Sequence, residues 1–153
     1  MKMLNQVKIT FAGRSVNEGF ARAALAAFLV QLDPTVPQLA DMKTAVSEAV
    51  TNCIVHAYPE SVGEIYIWVG LFDDGLVRIR IRDRGCGIAD VRQAMEPLFT
   101  TLGGERAGLG FAVMESFMDK VRVRSAPNRG MSQQQTTSVT MDKLIKGRGD
   151  GQS

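Results

Sequence analysis

Alternating apolar and polar positions predict strands near both ends of the chain. Residues 4–11 alternate, with an apolar side chain at every second position from Val7 to Phe11. This pattern is typical of a half-buried strand. Shorter alternating runs at 121–125 and 136–141 predict the last two strands.

The middle of the chain carries the clearest hairpin pattern. Residues 65–71 and 77–82 alternate on either side of Asp73-Asp74-Gly75, and an Asp-Gly step between two such runs favours a tight turn. The polar positions of the second run place an arginine stripe on the opposite sheet face, at Arg78, Arg80 and Arg82. RNA binding would require interleaved aromatic side chains, and Tyr66 and Trp68 satisfy that geometry, but we favour a solvated or subunit-facing surface.

Apolar spacings of three and four residues predict three helices, at 18–32, at 37–58 and from Gly108 onward. A short helical piece is expected at 89–95. The predicted core stripe of the first helix is Phe20, Ala24, Ala27, Phe28 and Leu32. With the helices on one face of a mixed, mostly antiparallel sheet, the fold class is α+β, a two-layer α/β sandwich.

Composition limits the function classes further. The 153 residues are 45% hydrophobic and carry a net charge of +2, which fits one globular domain and gives no support for direct nucleic-acid or membrane-surface binding. There are only two cysteines and one histidine, and no segment is typical of a secretory leader. We expect one cytoplasmic domain over 1–146, reduced thiols, and a disordered polar tail at 147–153.

One candidate site lies on the second predicted helix. Glu48, Asn52 and His56 are spaced four and four, which places them on one side of the helix, beside the apolar positions Ala49 and Cys53. Carboxylate and carboxamide oxygens suit a magnesium nucleotide. Taken alone, the same spacing is more typical of a solvated helix face.

Two glycine-containing motifs complete the candidate site. Asp83-x-Gly85-x-Gly87 directly follows a strand, where glycines permit close approach of a flat ligand; an ordinary turn is the alternative. Gly108-Leu109-Gly110 opens the third predicted helix, where free N–H groups attract anions, and Arg106 precedes it. No P-loop or dinucleotide-binding motif is present.

The order of these motifs resembles the N, G1 and G2 boxes of the GHKL (Bergerat-type) ATPase and kinase superfamily. Four runs resemble, more closely, the sporulation branch of the bacterial anti-sigma-factor serine kinases, and the resemblance extends to about Lys146. They are FARAALAAFLVQLDPT, KTAVSEAVTNCIVHAY, RDRGCGIADVRQAMEPLFTT and GLGFAVMESFMD. The single histidine lies inside the N box, which argues against a histidine kinase with its own acceptor helix.

The resemblance implies ATP or ADP and Mg²⁺ as cofactors of a protein-serine/threonine kinase. Glu48 would act as general base towards a serine of another protein, and Asn52 would hold Mg²⁺. His56 would lie near the phosphates or simply end the helix. Asp83 would read the adenine amine above Gly85 and Gly87. The phosphate and lid groups would be Thr100, Thr101, Arg106, Gly108, Leu109 and Gly110, with 97–107 as the lid.

The resemblance also implies protein partners. An ATP-bound homodimer would sequester a sigma factor of the sigma F type, and an anti-anti-sigma factor would displace it and be phosphorylated on serine. Glu18 and Arg22 match partner-contacting positions, although an i,i+4 surface ion pair worth about 0.3–0.5 kcal/mol is the simpler interpretation. The alternatives are a general-stress anti-sigma kinase and a nucleotide-dependent sigma-binding module without kinase activity.

Overall fold

Five antiparallel strands form one sheet in the order β1-β2-β3-β5-β4. A computed structural model describes residues 1–57, 62–85, 104–127 and 135–145 of the chain. The strands are β1 Met3–Ala12, β2 Glu64–Phe72, β3 Leu76–Asp83, β4 Lys120–Pro127 and β5 Gln135–Leu144. The predicted hairpin is confirmed, with Gly75 at a positive φ of 88° in its turn.

In the part of the chain that the structure describes, three α-helices accompany the sheet: α1 Val16–Leu29, α2 Val36–Asn52 and α3 Gly104–Phe117. A 3₁₀ turn, Val30–Leu32, extends α1. A capping box begins α2, in which the Thr35 hydroxyl accepts from the Gln38 amide and the Gln38 side chain accepts from the Thr35 amide. Within the described ranges, no helix is both long and apolar enough to span a lipid bilayer.

The core lies between the helices and one face of the sheet, which confirms the two-layer α+β class. Alternation along β2 and β3 turns every second side chain inward, and α2 contributes the central helical face. Burying this apolar surface is the main stabilising contribution to the fold. The largest fully buried side chains include Leu25, Leu29, Met42, Val46, Val50, Ile65, Ile67, Ile79, Ile81, Met114 and Met141.

The predicted core stripe of α1 is partly wrong. Phe20 is 55% exposed and Ala27 is exposed, whereas Ala21, Leu25 and Leu29 are fully buried. Apolar residues surround this helix on nearly every side, so spacing alone does not define its buried face. Phe28 and Leu32 do pack against the core as predicted, and Ala24 is half-buried.

The second predicted helix does not continue as an α-helix to residue 58. It changes at Cys53 into a π-helical turn, Cys53–Ala57, where the Cys53 amide bonds to the carbonyls of both Ala49 and Val50. The wider turn alters the angle between successive side chains. The His56 side chain lies outside the described residues.

The third helix begins earlier than predicted. Because α3 starts at Gly104, the Gly108-Leu109-Gly110 motif lies inside the helix rather than at its start, and residues 104–107 of the predicted lid are helical. Glycines lower helix propensity, which led the sequence prediction to place the start too late. The predicted helical piece at 89–95, the rest of the lid and the tail at 147–153 lie outside the described residues.

Candidate functional site

The C-terminal end of α2 meets the C-terminal end of β3 through one side-chain contact. The Cys53 thiol donates a hydrogen bond to Asp83 Oδ2, with an Sγ–Oδ2 distance of 3.4 Å. The Gly85 amide donates to the other oxygen, Asp83 Oδ1, at 3.0 Å. Strand alternation explains the placement: Asp83 follows Val77, Ile79 and Ile81 on the inward face of β3, and it is only 4% exposed.

Burial raises the pKa of both groups in the Asp83–Cys53 pair. Burial raises the pKa of Asp83, and the hydrogen bonds from Gly85 and Cys53 oppose that rise only in part. Burial, followed by the nearby Asp83 carboxylate, raises the pKa of Cys53 well above its ordinary value. The thiol therefore remains protonated at neutral pH and acts as the donor of the pair.

Asn52, one residue earlier on α2, lies directly against α3. A Cβ atom added at Gly110 would lie 2.9 Å from Asn52 Nδ2 and 3.1 Å from its Oδ1. Any side chain at position 110 would therefore force the Asn52 carboxamide to shift. The helices α2 and α3 therefore touch at the Asn52 carboxamide.

The Asn52 side chain has an unsatisfied donor. Within the described part of the chain, Asn52 Nδ2 is buried and has no hydrogen-bond partner. A buried polar atom left unpaired costs about 1–3 kcal/mol, so such an atom in a native protein needs an explanation. A bound ligand that contacts the carboxamide would remove this cost. The residues present thus fit a polar ligand at this point.

Glu48 lies one helical turn before Asn52 and is half-buried. Its neighbours Ala45 and Ala49 are buried in the core, so the backbone that carries Glu48 is fixed by packing. Glu48 is therefore held on a well-packed helix one turn from Asn52.

The structure brings together part of the predicted site. Asn52 lies against Gly110 of α3, and the adjacent Cys53 contacts Asp83, whose carboxylate also accepts from the Gly85 amide. Glu48 lies on the same helix as Asn52. The backbones of Arg106, Gly108 and Leu109 belong to α3, but the side chains of Arg106 and Leu109 lie outside the described residues. Gly87, Thr100 and Thr101 are outside the described ranges altogether.

One residue of this site was missed by sequence reasoning. Cys53 follows the apolar periodicity of α2, which predicted only a core position. Its contact with Asp83 joins residues 30 positions apart, so it depends on the tertiary fold. In the sequence, only its position next to Asn52 indicated that Cys53 lies near the site.

The predicted partner-binding pair lies at the N-terminal end of α1. Arg22 Nη1 is 3.4 Å from Glu18 Oε1, and the side chains are 46% and 23% exposed. The Ser47 hydroxyl of α2 also donates to Glu18 Oε1. Glu18 thus connects α1 to α2, while Arg22 remains accessible.

Comparison with known proteins places the chain in a class. The profile of the Histidine kinase-like ATPase domain matches residues 13–143. Among solved structures, the RsbU and RsbW domains of a Mycobacterium tuberculosis protein superpose with a TM-score of 0.65 at 23% identity, covering 94% of this chain and 34% of that one. The chain therefore contains a histidine kinase-like, or GHKL, ATPase domain.

More similar relatives narrow the class to one family. The anti-sigma F factor of Caldanaerobacter subterraneus subsp. tengcongensis is 50% identical over 146 residues, which are 95% of this chain and 97% of that protein. The anti-sigma F factor of Priestia megaterium is 46% identical, covering 94% of this chain and 99% of its own length. The chain belongs to the anti-sigma F factor family.

Proposed function

We propose that this chain binds MgATP at a site formed by Asn52, Asp83 and Gly110, and transfers phosphate to a serine of an anti-anti-sigma factor. The observation that carries the proposal is the buried amide of Asn52, which has no hydrogen-bond partner among the described residues. It lies against Gly110, and the adjacent Cys53 contacts Asp83. Membership of a family built on an ATPase domain supports a nucleotide as the ligand.

Adenine recognition is assigned to Asp83. A carboxylate oxygen at this strand end accepts a hydrogen bond from the exocyclic amine of adenine, and burial strengthens that bond. Gly85, itself buried, and Gly87 allow the base to lie close to the backbone. This hydrogen bond favours purines that carry a hydrogen-bond donor at position 6, as adenine does.

Phosphate and metal binding are assigned to Asn52 and the start of α3. Mg²⁺ is commonly held by one or two protein oxygens together with substrate phosphates, so the Asn52 carboxamide is a suitable ligand. Bound Mg²⁺ would neutralise charge on the phosphates during transfer. The N–H groups in the first turn of an α-helix have no partner within the helix, which favours an anion at the start of α3. The further phosphate and lid groups proposed are His56, Thr100, Thr101, Arg106, Gly108, Leu109 and Gly110.

The catalytic residue proposed is Glu48. Its carboxylate accepts the proton of the partner's serine hydroxyl as the serine oxygen bonds to the γ-phosphorus, and ADP leaves with the electrons of the broken phosphorus–oxygen bond. Catalysis of this kind depends mainly on position and charge neutralisation. A fixed helical turn between Glu48 and Asn52 supplies the positioning.

Partner binding extends the proposal beyond the nucleotide. The names of the relatives support a sigma factor of the sigma F type as the inhibited partner. We propose that an ATP-bound homodimer holds the sigma factor, with Glu18 and Arg22 contributing contacts on α1. The accessible guanidinium of Arg22 suits an acidic surface on a partner.

The kinase step is tested with Glu48→Gln. The amide cannot accept the serine proton, so transfer of labelled phosphate from ATP to the anti-anti-sigma factor should fall at least 100-fold. ATP affinity, measured by calorimetry, should remain within about threefold because Glu48 is not assigned to nucleotide binding. Undiminished transfer would contradict the assignment of Glu48 as base.

The anti-sigma step is tested separately by co-purification with candidate sigma factors in ATP, in ADP and without nucleotide. We expect ATP to give the strongest retention of a sigma F-type protein. If ATP does not increase retention, the nucleotide-dependent part of the proposal is wrong. Retention without phosphate transfer by the wild-type protein would instead favour a binding module without kinase activity.

A further inference from the structure

The Cys53 thiol contacts Asp83, the residue proposed to recognise adenine. Cys53 itself is not one of the site residues predicted from the sequence. It is 5% exposed and begins the π-helical turn that ends α2. Its sulfur lies 3.4 Å from Asp83 Oδ2. A π-helical turn within a longer helix often occurs at a functional site, and here its first side chain faces the carboxylate.

Two donors on opposite oxygens fix the orientation of a carboxylate. The Gly85 amide holds Oδ1 at 3.0 Å, and this contact alone leaves the group free to rotate about the Cβ–Cγ bond. The Cys53 contact with Oδ2 removes that freedom. Each oxygen accepts more than one hydrogen bond, so the carboxylate retains acceptor capacity for a ligand.

We propose that Cys53 is a positioning residue that fixes the Asp83 carboxylate and thereby strengthens discrimination between adenine and purines with an oxygen at position 6. The inference rests on the proposed function, which assigns adenine recognition to Asp83. A fixed carboxylate accepts a hydrogen bond from an amine at purine position 6 and repels an oxygen at that position. A carboxylate free to rotate turns away from the oxo group, so the penalty against the wrong base decreases.

The test compares the affinities for ADP and inosine diphosphate, which differ at purine position 6 in having an amine or an oxygen. Calorimetry on the full chain gives the ratio of the two affinities for each variant. Cys53→Ala removes the donor, and we expect the ratio to fall about fivefold, the factor associated with one neutral hydrogen bond. Cys53→Ser retains a donor and should give a ratio closer to the wild-type value.

A matched control separates positioning from packing. Val50→Ala removes apolar volume from the same buried face of α2 without deleting the Asp83 contact. It should lower the melting temperature and leave the affinity ratio unchanged. A wild-type ratio in Cys53→Ala would overturn the inference, as would equal losses in Cys53→Ala and Cys53→Ser.

The variant Asp83→Asn separates the role of Asp83 in adenine recognition from the role of Cys53 in positioning it. If the wild-type protein does not bind ADP, or if Asp83→Asn leaves ADP affinity unchanged, the assignment of adenine recognition is wrong. If Asp83→Asn weakens ADP binding while Cys53→Ala keeps the ratio, only the positioning role is wrong. The S–H stretching band provides a readout without nucleotide, and the contribution from Cys53 should shift in Asp83→Asn.

Discussion

At the scale of single residues, Asp83 shows a conflict between folding and binding. Its carboxylate is buried at the end of β3, and burial raises its pKa. Ionised Asp83 is suited to accept from a ligand amine, but ionisation in a buried position opposes folding. Conflicts of this kind are expected at functional sites.

Asp83→Asn should therefore separate stability from nucleotide binding. The folded protein holds the Asp83 proton at pH values where the unfolded chain has lost it, so the contribution of Asp83 to stability falls as the pH rises from 3.8 through its raised pKa. Asparagine does not ionise. At pH 7 the ligand-free variant should melt at a higher temperature than the wild type, and ADP affinity should fall at least tenfold.

The difference in melting temperature should shrink as the pH falls from 7 towards 4, because Asp83 becomes protonated in both states of the wild-type protein. Differential scanning calorimetry over this range measures the trend. A ligand-free variant less stable than the wild type at pH 7 would contradict this account of Asp83.

Gly110 is the second residue at which a small change has a defined result. In most helix interiors, replacing glycine by alanine stabilises the protein by about 0.5–1 kcal/mol. At Gly110 the added methyl would meet the Asn52 carboxamide at 2.9 Å, so Gly110→Ala should displace that side chain and weaken ATP binding about tenfold or more.

Gly19→Ala provides the matched control for Gly110→Ala. Gly19 lies inside α1, and a Cβ there would meet no atom within 4 Å. This variant should gain the ordinary helix stabilisation and retain wild-type ATP affinity. Urea denaturation and calorimetry measure the two effects, and equal ATP affinities in both variants would show that the Gly110–Asn52 contact is not part of the site.

At the scale of elements, the strands could be predicted from the sequence more fully than the helices. Alternation fixed the faces of β2 and β3, and the Asp-Gly step located their turn, because a strand repeats every two residues and tolerates few alternative registers. In α1, abundant alanine and phenylalanine made several faces equally apolar. The π-helical turn at Cys53 depends on packing against β3, which no local pattern encodes.

The candidate site, like the fold, could be predicted only in part from the sequence. The sequence indicated Glu48, Asn52, Asp83 and Gly110 because the residue types and their order carry information. It did not indicate that Gly110 lies inside α3, or that Cys53 faces Asp83. Those features depend on how α2 and α3 pack against each other and against the sheet.

The junction of α1 and α2 allows an element-scale prediction for partner binding. Glu18 receives a hydrogen bond from Ser47 on α2 and pairs with Arg22. Arg22→Ala should change stability by less than about 0.5 kcal/mol, since an exposed i,i+4 ion pair contributes little. Binding of the sigma factor, measured by calorimetry with ATP present, should weaken at least fivefold.

The control for Arg22→Ala is Arg124→Ala, which removes an equal charge from an exposed position on β4. If both variants lose the same amount of sigma affinity, the effect is due to net charge rather than to a contact on α1.

At the scale of the whole molecule, arginine side chains pair with aromatic side chains on the outer face of the sheet. Arg80 lies over the Trp68 ring at 5.4 Å from its centroid, and Arg82 lies over Tyr66 at 5.2 Å. These cross-strand pairs are neighbours in the β2–β3 register. Together they connect adjacent strands on the face opposite the core and confirm the arginine stripe predicted from sequence.

Asp142 anchors the other half of this face. Its carboxylate accepts from Arg78 at 2.8 and 3.1 Å and from Arg122 at 3.3 Å, and it thereby connects β3, β5 and β4. The side chain is 11% exposed, and that of Arg78 is 27% exposed. Charged hydrogen bonds with this degree of burial contribute more than surface ion pairs.

Asp142→Asn should therefore lower the free energy of unfolding by about 1.5–3 kcal/mol, because an amide cannot accept on both sides from two guanidinium groups. Urea denaturation measures the loss, and the double variant with Arg78→Met tests its origin. If the Arg78 pair carries the effect, the double variant should be more stable than the sum of the two single losses predicts. Additive losses would mean that Asp142 acts through its other contacts, which would make Arg122 and the β4–β5 edge the stabilising part of this face.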